Sequence, residues 1–528
     1  MLQTLLPLIL TAVLVSAGGG VAAPTGFTFM ASANTVVAGG YLTFSWTNAN
    51  TASQNDWVLY TSNNNAPSSS NYLSDCWQYT YGLQTKTGQA PPSSGSISVK
   101  APATPGTYKA YYCQNNGYSC PGSLTITVTK PNVQCLAGGK TNSNIKHVIT
   151  IISENHSFDS YYGKYCQAPV RSGPSCNNGP ACCDQGDQSL NGVTPQLLDD
   201  TSNKANDRDH TAANEICEIN GGKMDKFLSG CSGSSANNYA MASGAAGSAE
   251  KYWGWAQSGA MADRFFQSAA GQSSMNDMYF ARGSFVFNDN DAVPQSDGCY
   301  NPFSSSKKSY QDPTIADLLV QCGVSWTFYA QDFKFDNGLL NCYPDNYDPS
   351  DNPFEYYPSV RNSVNNAQYF KDFNGNFDAD VDSGNLPAVT YIKALGTASE
   401  HPLVSTISAG EDFNQHVIDM IMNSPIYRDN TLIILTPDES GGFRDSVPPP
   451  ANSNIDNRPY GPRVPFVVLG NFAKTNYISH VPMEHSSLLR FIESNFLGGA
   501  PGQLQTRDAI VNNIGDLLDQ SKTGYFFP

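Results

Sequence analysis

Five uninterrupted apolar runs set the tightest limit on what this chain can fold into: VITII at 148–152, VSWTFY at 324–329, AVTYI at 388–392, LIIL at 432–435 and VPFVVL at 464–469. A strand with one wet face alternates apolar and polar residues; these runs do not, which suits parallel strands buried on both faces. Segments with helical periodicity, such as 412–422 and 486–496, lie between or after them and provide the crossovers that parallel pairing requires. The expectation is a three-layer α/β domain with a mostly parallel sheet over residues 131–528. Stretches 166–183, 343–352 and 447–459 break the pattern and read as loops or insertions.

Ahead of residue 131 the texture differs. Short β-prone runs at 26–29, 41–46, 57–60, 96–99, 107–112 and 123–128 are separated by Gly, Pro, Asn and Ser, the pattern of a small antiparallel sandwich. Residues 24–130 are therefore expected to form an immunoglobulin-like or fibronectin-like all-β module. It carries no catalytic constellation, so positioning, or contact with a cell surface or wall, is its expected role. Residues 1–23 have the apolar core and small-residue exit of a secretory signal peptide, with small residues for cleavage at both 15–17 and 22–23. No later apolar stretch approaches the length of a membrane span, so stable membrane insertion is not expected.

Export would place the thirteen cysteines, all between Cys76 and Cys342, in an oxidising compartment. Disulfides are expected for most of them, with at least one left unpaired. The crowded group Cys166, Cys176, Cys182, Cys183, Cys217 and Cys231 lacks the regular spacing of a zinc site, and vicinal Cys182 and Cys183 should go to different partners. A formal net charge of −16 argues against a grip on nucleic acid, which needs clustered Lys and Arg.

In an open parallel sheet ligands bind beyond the carboxyl ends of the strands. Run 148–152 is followed by Ser153, Glu154 and Asn155, and run 432–435 by Thr436, Pro437, Asp438 and Glu439. Three carboxylates gathered there repel one another unless a cation neutralises them, which points to a divalent metal. Taken singly, each would serve equally well as a helix cap or a solvated turn residue.

The stretch IKHVITIISENHSFD at 145–159 resembles the opening motif of the phosphoesterase family that contains bacterial acid phosphatases and phospholipases C, within the alkaline-phosphatase-like superfamily. NGGKMD at 220–225, SEHP at 399–402, TPDESGGF at 436–443, GPRVP at 461–465 and HSSLLRFIE at 485–493 continue the likeness in the family's order. Asn55-Asp56-Trp57-Val58 is similar to the front module of some secreted phosphatases.

The resemblance implies a secreted metal-dependent phosphoesterase, of acid phosphatase or phospholipase C type, acting through a phosphoserine on phosphate monoesters or phospholipids. Gly271-Gln272-Ser273-Ser274-Met275-Asn276 corresponds to the family's nucleophile setting, so Ser273 becomes the expected nucleophile, with Ser274 the alternative one register on. Glu154, Asn155, Asp438 and Glu439 become the expected ligands of one divalent ion, with the Ser273 oxygen completing the shell; oxygen donors favour Mg, Mn or Ca, with Zn possible. His210 and His401 match positions that meet the phosphate or leaving oxygen, where an imidazole can pass a proton.

Departures from the family pattern are Met275, Asp277 where Arg is usual, and His156 where Arg is usual. Of the other histidines, His485 and His147 are expected to be structural, and His416 and His480 carry no functional expectation. The competing reading is a secreted surface-binding protein whose α/β domain is a catalytically degenerate scaffold. Asn155-His156-Ser157 is also an N-glycosylation acceptor; modification would remove a ligand, so it is expected to stay bare.

Overall fold

The computed structural model describes residues 24–47, 49, 52–62, 65–85, 93–295, 306–333 and 343–528. The expected signal peptide, Cys299 and Cys342 lie outside the described residues.

The first eight strands form two sheets. Thr28–Ala31, Tyr41–Thr47 and Gly95–Lys100 make an antiparallel three-stranded sheet. The second, of five strands, runs in the order Thr35–Val37, Gly122–Thr129, Gly106–Cys113, Trp57–Thr61, Tyr72–Tyr79. Tyr41–Thr47 shows why they face each other: Leu42, Phe44 and Trp46 alternate inward and meet Val58, Tyr60, Tyr112 and Ile126 of the second sheet in one core. Strand Tyr72–Tyr79, with Ser74 and Asp75 in its middle, gave no apolar signal in the sequence.

The large sheet has eight strands in the order Phe370–Asp372, Trp326–Ala330, Val389–Lys393, His147–Ser153, Thr431–Pro437, Val467–Leu469, Ala260–Ala262, Tyr477–Ser479. All pairings are parallel except those of Val467–Leu469, which runs antiparallel to both neighbours. The central strands are buried on both faces, as their composition requires. Val148, Ile152, Leu432 and Ile434 enter one core, whereas Ile149, Ile151, Ile433 and Leu435 enter the other. Helices Ser273–Arg282, Ile315–Gln321 and Ser486–Phe496 pack into the first core; Glu250–Ser258, Phe373–Ser383 and Ile407–Met422 pack into the second. One helical layer on each face of the sheet, three layers in all, follows from this partition.

The β module is docked on the back of this domain through buried charge. Lys100 lies 2.8 Å from Asp312, which also faces Arg282, and Arg282 donates to the Gly39 carbonyl. Tyr41 N–H donates to the Gln505 carbonyl at 3.0 Å. Arg282 ends the helix that begins at Ser273, so the module grips the far end of the segment carrying the expected nucleophile.

Disulfides join Cys113 to Cys120, Cys135 to Cys322, Cys166 to Cys183, Cys176 to Cys182 and Cys217 to Cys231, and Cys76 is a buried free thiol. Cys182 and Cys183 thus take different partners. Among the described residues no helix is long and apolar enough to cross a membrane.

His480, for which the sequence suggested nothing, closes one end of the disulfide loop. Its Nδ1 lies 2.9 Å from the Asp263 carboxylate and its Nε2 2.5 Å from the Cys176 carbonyl, so both nitrogens face acceptors. The hydrogen bond to Asp263 raises its pKa above the ordinary value, against opposition from burial and nearby Arg264. A raised folded pKa contributes stability that is fully present below the unfolded value of about 6.5 and is lost as pH rises through the folded value. His480→Gln should therefore lower the thermal midpoint in mildly acidic buffer, with the deficit shrinking in alkaline buffer. Melting curves across this range check it, and a deficit independent of pH would reject the imidazolium.

Candidate active site

Register decides which side chains meet. Ile152 pairs with Lys393 on one side and Thr436 on the other, and Ser153 pairs with Pro437, so Lys393, Glu154 and Asp438 emerge side by side at the carboxyl edge. Glu154 and Asp438 are each one residue beyond a buried strand end, and both are buried themselves.

The turns that follow are held at close quarters. Asn155 adopts φ 68°, a left-handed conformation that asparagine tolerates better than most residues. Gly441 lies against it: a Cβ there would stand 2.2 Å from the Asn155 carbonyl oxygen, at a φ of +63°. Only glycine lets the 438–442 loop approach the Glu154–Asn155 turn this closely. Glu439 N–H donates to Asp438 Oδ1 at 2.8 Å, and Gly441 N–H to Glu439 Oε2 at 2.6 Å, leaving Glu439 Oε1 without a hydrogen-bond partner among the described residues.

Ser273 opens its helix, with its hydroxyl 3.4 Å from Asn155 Oδ1 and near enough to Asp438 to favour that carboxylate's charged form. The backbone N–H of neighbouring Ser274 donates to Asn290 Oδ1 at 2.9 Å. Asn276 fixes the preceding turn, accepting from Ala269 N–H at 3.0 Å and donating to the Gly271 carbonyl at 2.9 Å. Across the cleft, His210 Nε2 is 3.8 Å from Glu439 Oε1, and the His210 and His401 rings are 6.2 Å apart. Each imidazole has Nδ1 on a backbone carbonyl, of Arg208 at 2.6 Å and Pro402 at 2.7 Å, which leaves Nε2 as the available nitrogen. These contacts bring the seven expected site residues into one neighbourhood at the carboxyl edge of the sheet.

Three contributors escaped the sequence reading. Lys393 Nζ lies 3.1 Å from Glu154, 3.1 Å from Asp277 and 3.4 Å from Asp438. Its one signal was a basic residue closing an otherwise apolar run. Asp277, noted only as a departure, sits on the same helix face as Ser273, one turn along. Glu215 binds the two functional loops together, accepting from Gly271 N–H at 2.7 Å and Ser440 Oγ at 2.7 Å, with Gln267 bonded to it at 2.9 Å. It lies in a short helix with no motif to announce it.

The electrostatics follow from three buried carboxylates, Glu154, Asp277 and Asp438, around the Lys393 ammonium, with Glu439 next to Asp438. Burial raises the pKa of Asp277, Asp438 and Glu439, with Lys393 opposing it at the first two and Asp438 adding to it at Glu439. At Glu154 burial acts upward too, but Lys393 and His401 leave the carboxyl below its usual value. The donors are oxygens of the kind a hard cation prefers and Glu439 Oε1 is unpartnered, although among the described residues no group of three or more acidic, histidine or cysteine side chains is arranged to hold a metal ion.

Of the two histidines expected to be structural, His147 has Nδ1 2.9 Å from the Pro387 carbonyl and its ring edge-on to Tyr427, and burial lowers its pKa. His485 is buried beneath the loop, facing Ser268 Oγ at 3.0 Å and the Pro437 carbonyl at 3.1 Å, and burial lowers its pKa to about 3. His156 is neutral for the same reason, its pKa lowered to about 3, and its ring is stacked between Tyr161 and Phe443.

The family model that matches this architecture is that of the Phosphoesterase family, over residues 145–497. The chain belongs to this family. The non-hemolytic phospholipase C of Pseudomonas aeruginosa is 25% identical over 422 residues, 70% of this chain and 56% of that protein. Phospholipase C A of Mycobacterium tuberculosis is 24% identical over 445 residues, 75% of this chain and 78% of its own. An acid phosphatase of Aspergillus fumigatus is 28% identical over 141 residues, 25% of this chain and 30% of that protein. The chain spans little more than half the length of the Pseudomonas and Burkholderia phospholipases C that it matches.

The glycosylation acceptor is sealed inside the site: Asn155, His156 and Ser157 are 0%, 1% and 0% exposed. Peptide mass spectrometry of protein secreted from a eukaryotic host should find Asn155 unmodified in folded, active material; a glycan there would contradict this packing.

Proposed function

We propose that the chain is a secreted phosphoesterase that hydrolyses phosphate esters through a phosphoserine at Ser273, with one divalent ion held by Glu154, Asn155, Asp438, Glu439 and the Ser273 oxygen. The observation that carries the reading is the Ser273 hydroxyl at the start of a helix, 3.4 Å from Asn155 Oδ1 and beside Asp438, among carboxylates in excess of their single ammonium. Bound there, such an ion would lower the pKa of the hydroxyl and offset charge on a phosphoryl oxygen.

Ser273 Oγ would release its proton to solvent and form its bond to phosphorus as the bond to the leaving oxygen breaks, while His210 or His401 supplies the proton that oxygen needs. Water would then attack the phosphoserine, giving one proton to the same imidazole as the Ser273 Oγ–phosphorus bond breaks and Oγ takes a proton back from solvent, which restores the enzyme and frees inorganic phosphate or a phosphomonoester. Asn276 and Glu215 hold the serine turn and the Asp438–Glu439 loop in a fixed relation throughout. Five disulfides support an oxidising destination. The front module, proposed as immunoglobulin-like, would steady the helix from Arg282 and leave its outer surface for contact with a cell surface or wall.

Turnover of p-nitrophenyl phosphate and of phosphatidylcholine, with and without chelator, tests the reading and separates the two ester classes. Ser273→Ala should lower turnover at least about a thousandfold with metal content unchanged, whereas Asp438→Asn should lower metal content itself. Full activity in Ser273→Ala would remove the nucleophile, and no turnover of either ester with metal supplied would leave the surface-binding reading.

A further inference from the structure

Asn203, in the short helix Asp200–Ala205, is fully buried, and no motif marks it in the sequence. A buried amide must have its oxygen and its hydrogens met, and here every partner lies near the site. Oδ1 is 3.0 Å from His156 Nε2, and Nδ2 donates to the carbonyls of Glu400 at 2.8 Å and Ser405 at 3.1 Å. The Asn203 carbonyl accepts from Leu403 N–H at 2.8 Å. One residue therefore holds the 400–405 turn at three points, with His401 inside it.

That turn needs holding. Glu400 and Leu403 have φ of 76° and 69°, a left-handed conformation that costs energy for residues other than glycine. Leu403 is 52% exposed, so burial of its own side chain does not fix it. Glu400 is the second anchor: its carboxylate accepts from Tyr161 Oη at 2.7 Å, Tyr252 Oη at 2.9 Å and Asn414 Nδ2 at 3.0 Å. Its side chain fills space that only a glycine at 410 leaves, since a Cβ there would stand 2.0 Å from Glu400 Cγ. Both anchors lead back to His156, whose ring stacks on Tyr161. On the other flank Ser399 meets Glu154 twice, donating from Oγ to Oε2 at 3.0 Å and accepting from Glu154 N–H at 2.9 Å.

We infer that Asn203 is a positioning residue for His401, with Glu400 as its second anchor: together they tie the strained 400–405 turn to the Glu154–Ser157 segment and so fix where the His401 ring stands. The inference rests on the proposed phosphoesterase reading and names His401 as the imidazole through which Asn203 acts. A reacting group displaced by about 1 Å loses on the order of a hundredfold in rate. The loss should fall on leaving groups that need a proton. An alkoxide needs one; a nitrophenolate leaves without it.

The full chain is assayed on paired esters of one phosphoryl group: p-nitrophenyl phosphate with glycerol phosphate, and p-nitrophenyl phosphorylcholine with phosphatidylcholine. Asn203→Ala should lower kcat on the alkyl member about a hundredfold and on the nitrophenyl member only about threefold. His401→Ala should show the same split, and the double variant should be no worse than His401→Ala. An equal loss on both members, parent-like activity on both, or a double variant showing the product of the two single losses would overturn the inference. If Asn203→Ala gives no cooperative melting transition, Glu400→Gln, which keeps the side chain's shape, is read by the same criteria. A parent that turns over none of the four esters defeats the phosphoesterase reading itself, whereas with an active parent only the role of Asn203 is at stake.

Discussion

Three carboxylates buried around one ammonium, with Glu439 beside them, are the constraint on which the rest of this structure depends. Glu154, Asp277, Asp438 and Glu439 would repel one another if simply gathered, and a buried carboxylate stripped of partners costs several kcal/mol. Their positions are imposed from outside the cluster. Three adjacent parallel strands in matched register set down Lys393, Glu154 and Asp438, and the alternation of side chains between two cores keeps that register from slipping. Around this frame Glu215 joins the serine turn to the Ser440 loop, and His485 supports Pro437 from below.

The same logic extends to the β module. The helix that presents Ser273 at one end is gripped at the other, where Arg282 meets Gly39 and shares Asp312 with Lys100. A segment fixed at both ends loses little order when its first residue must be held for reaction, which is the physical value of preorganisation. This gives the module a structural reason to stay docked.

Much of the fold could be read from residue patterns, for a specific reason. The five apolar runs are long enough to declare strands buried on both faces, and each lies in the large sheet; the helix at 486–496 was also legible from its periodicity. Strands Ala260–Ala262, Phe370–Asp372 and Tyr477–Ser479 have three residues each, too few for any period to show. The helix Ile407–Met422 begins five residues before its apolar signal, because Thr406 caps it through a hydroxyl bond to Ala409 N–H. At the site, strand ends and family motifs located Glu154, Asn155, Ser273, Asp438 and Glu439. Glu215 and Lys393 act only through partners distant in the chain, so nothing local marked them.

From the sequence by itself came the parallel α/β class, the front β module, the acidic strand tips and the serine turn, since each is written in a local run of residues or a contiguous motif. Only the tertiary structure decided which cysteines pair and that a lysine from a third strand sits among the strand-tip carboxylates. Those outcomes depend on register and on long-range burial of charge, and charge burial is a property of assembled elements rather than of any one segment.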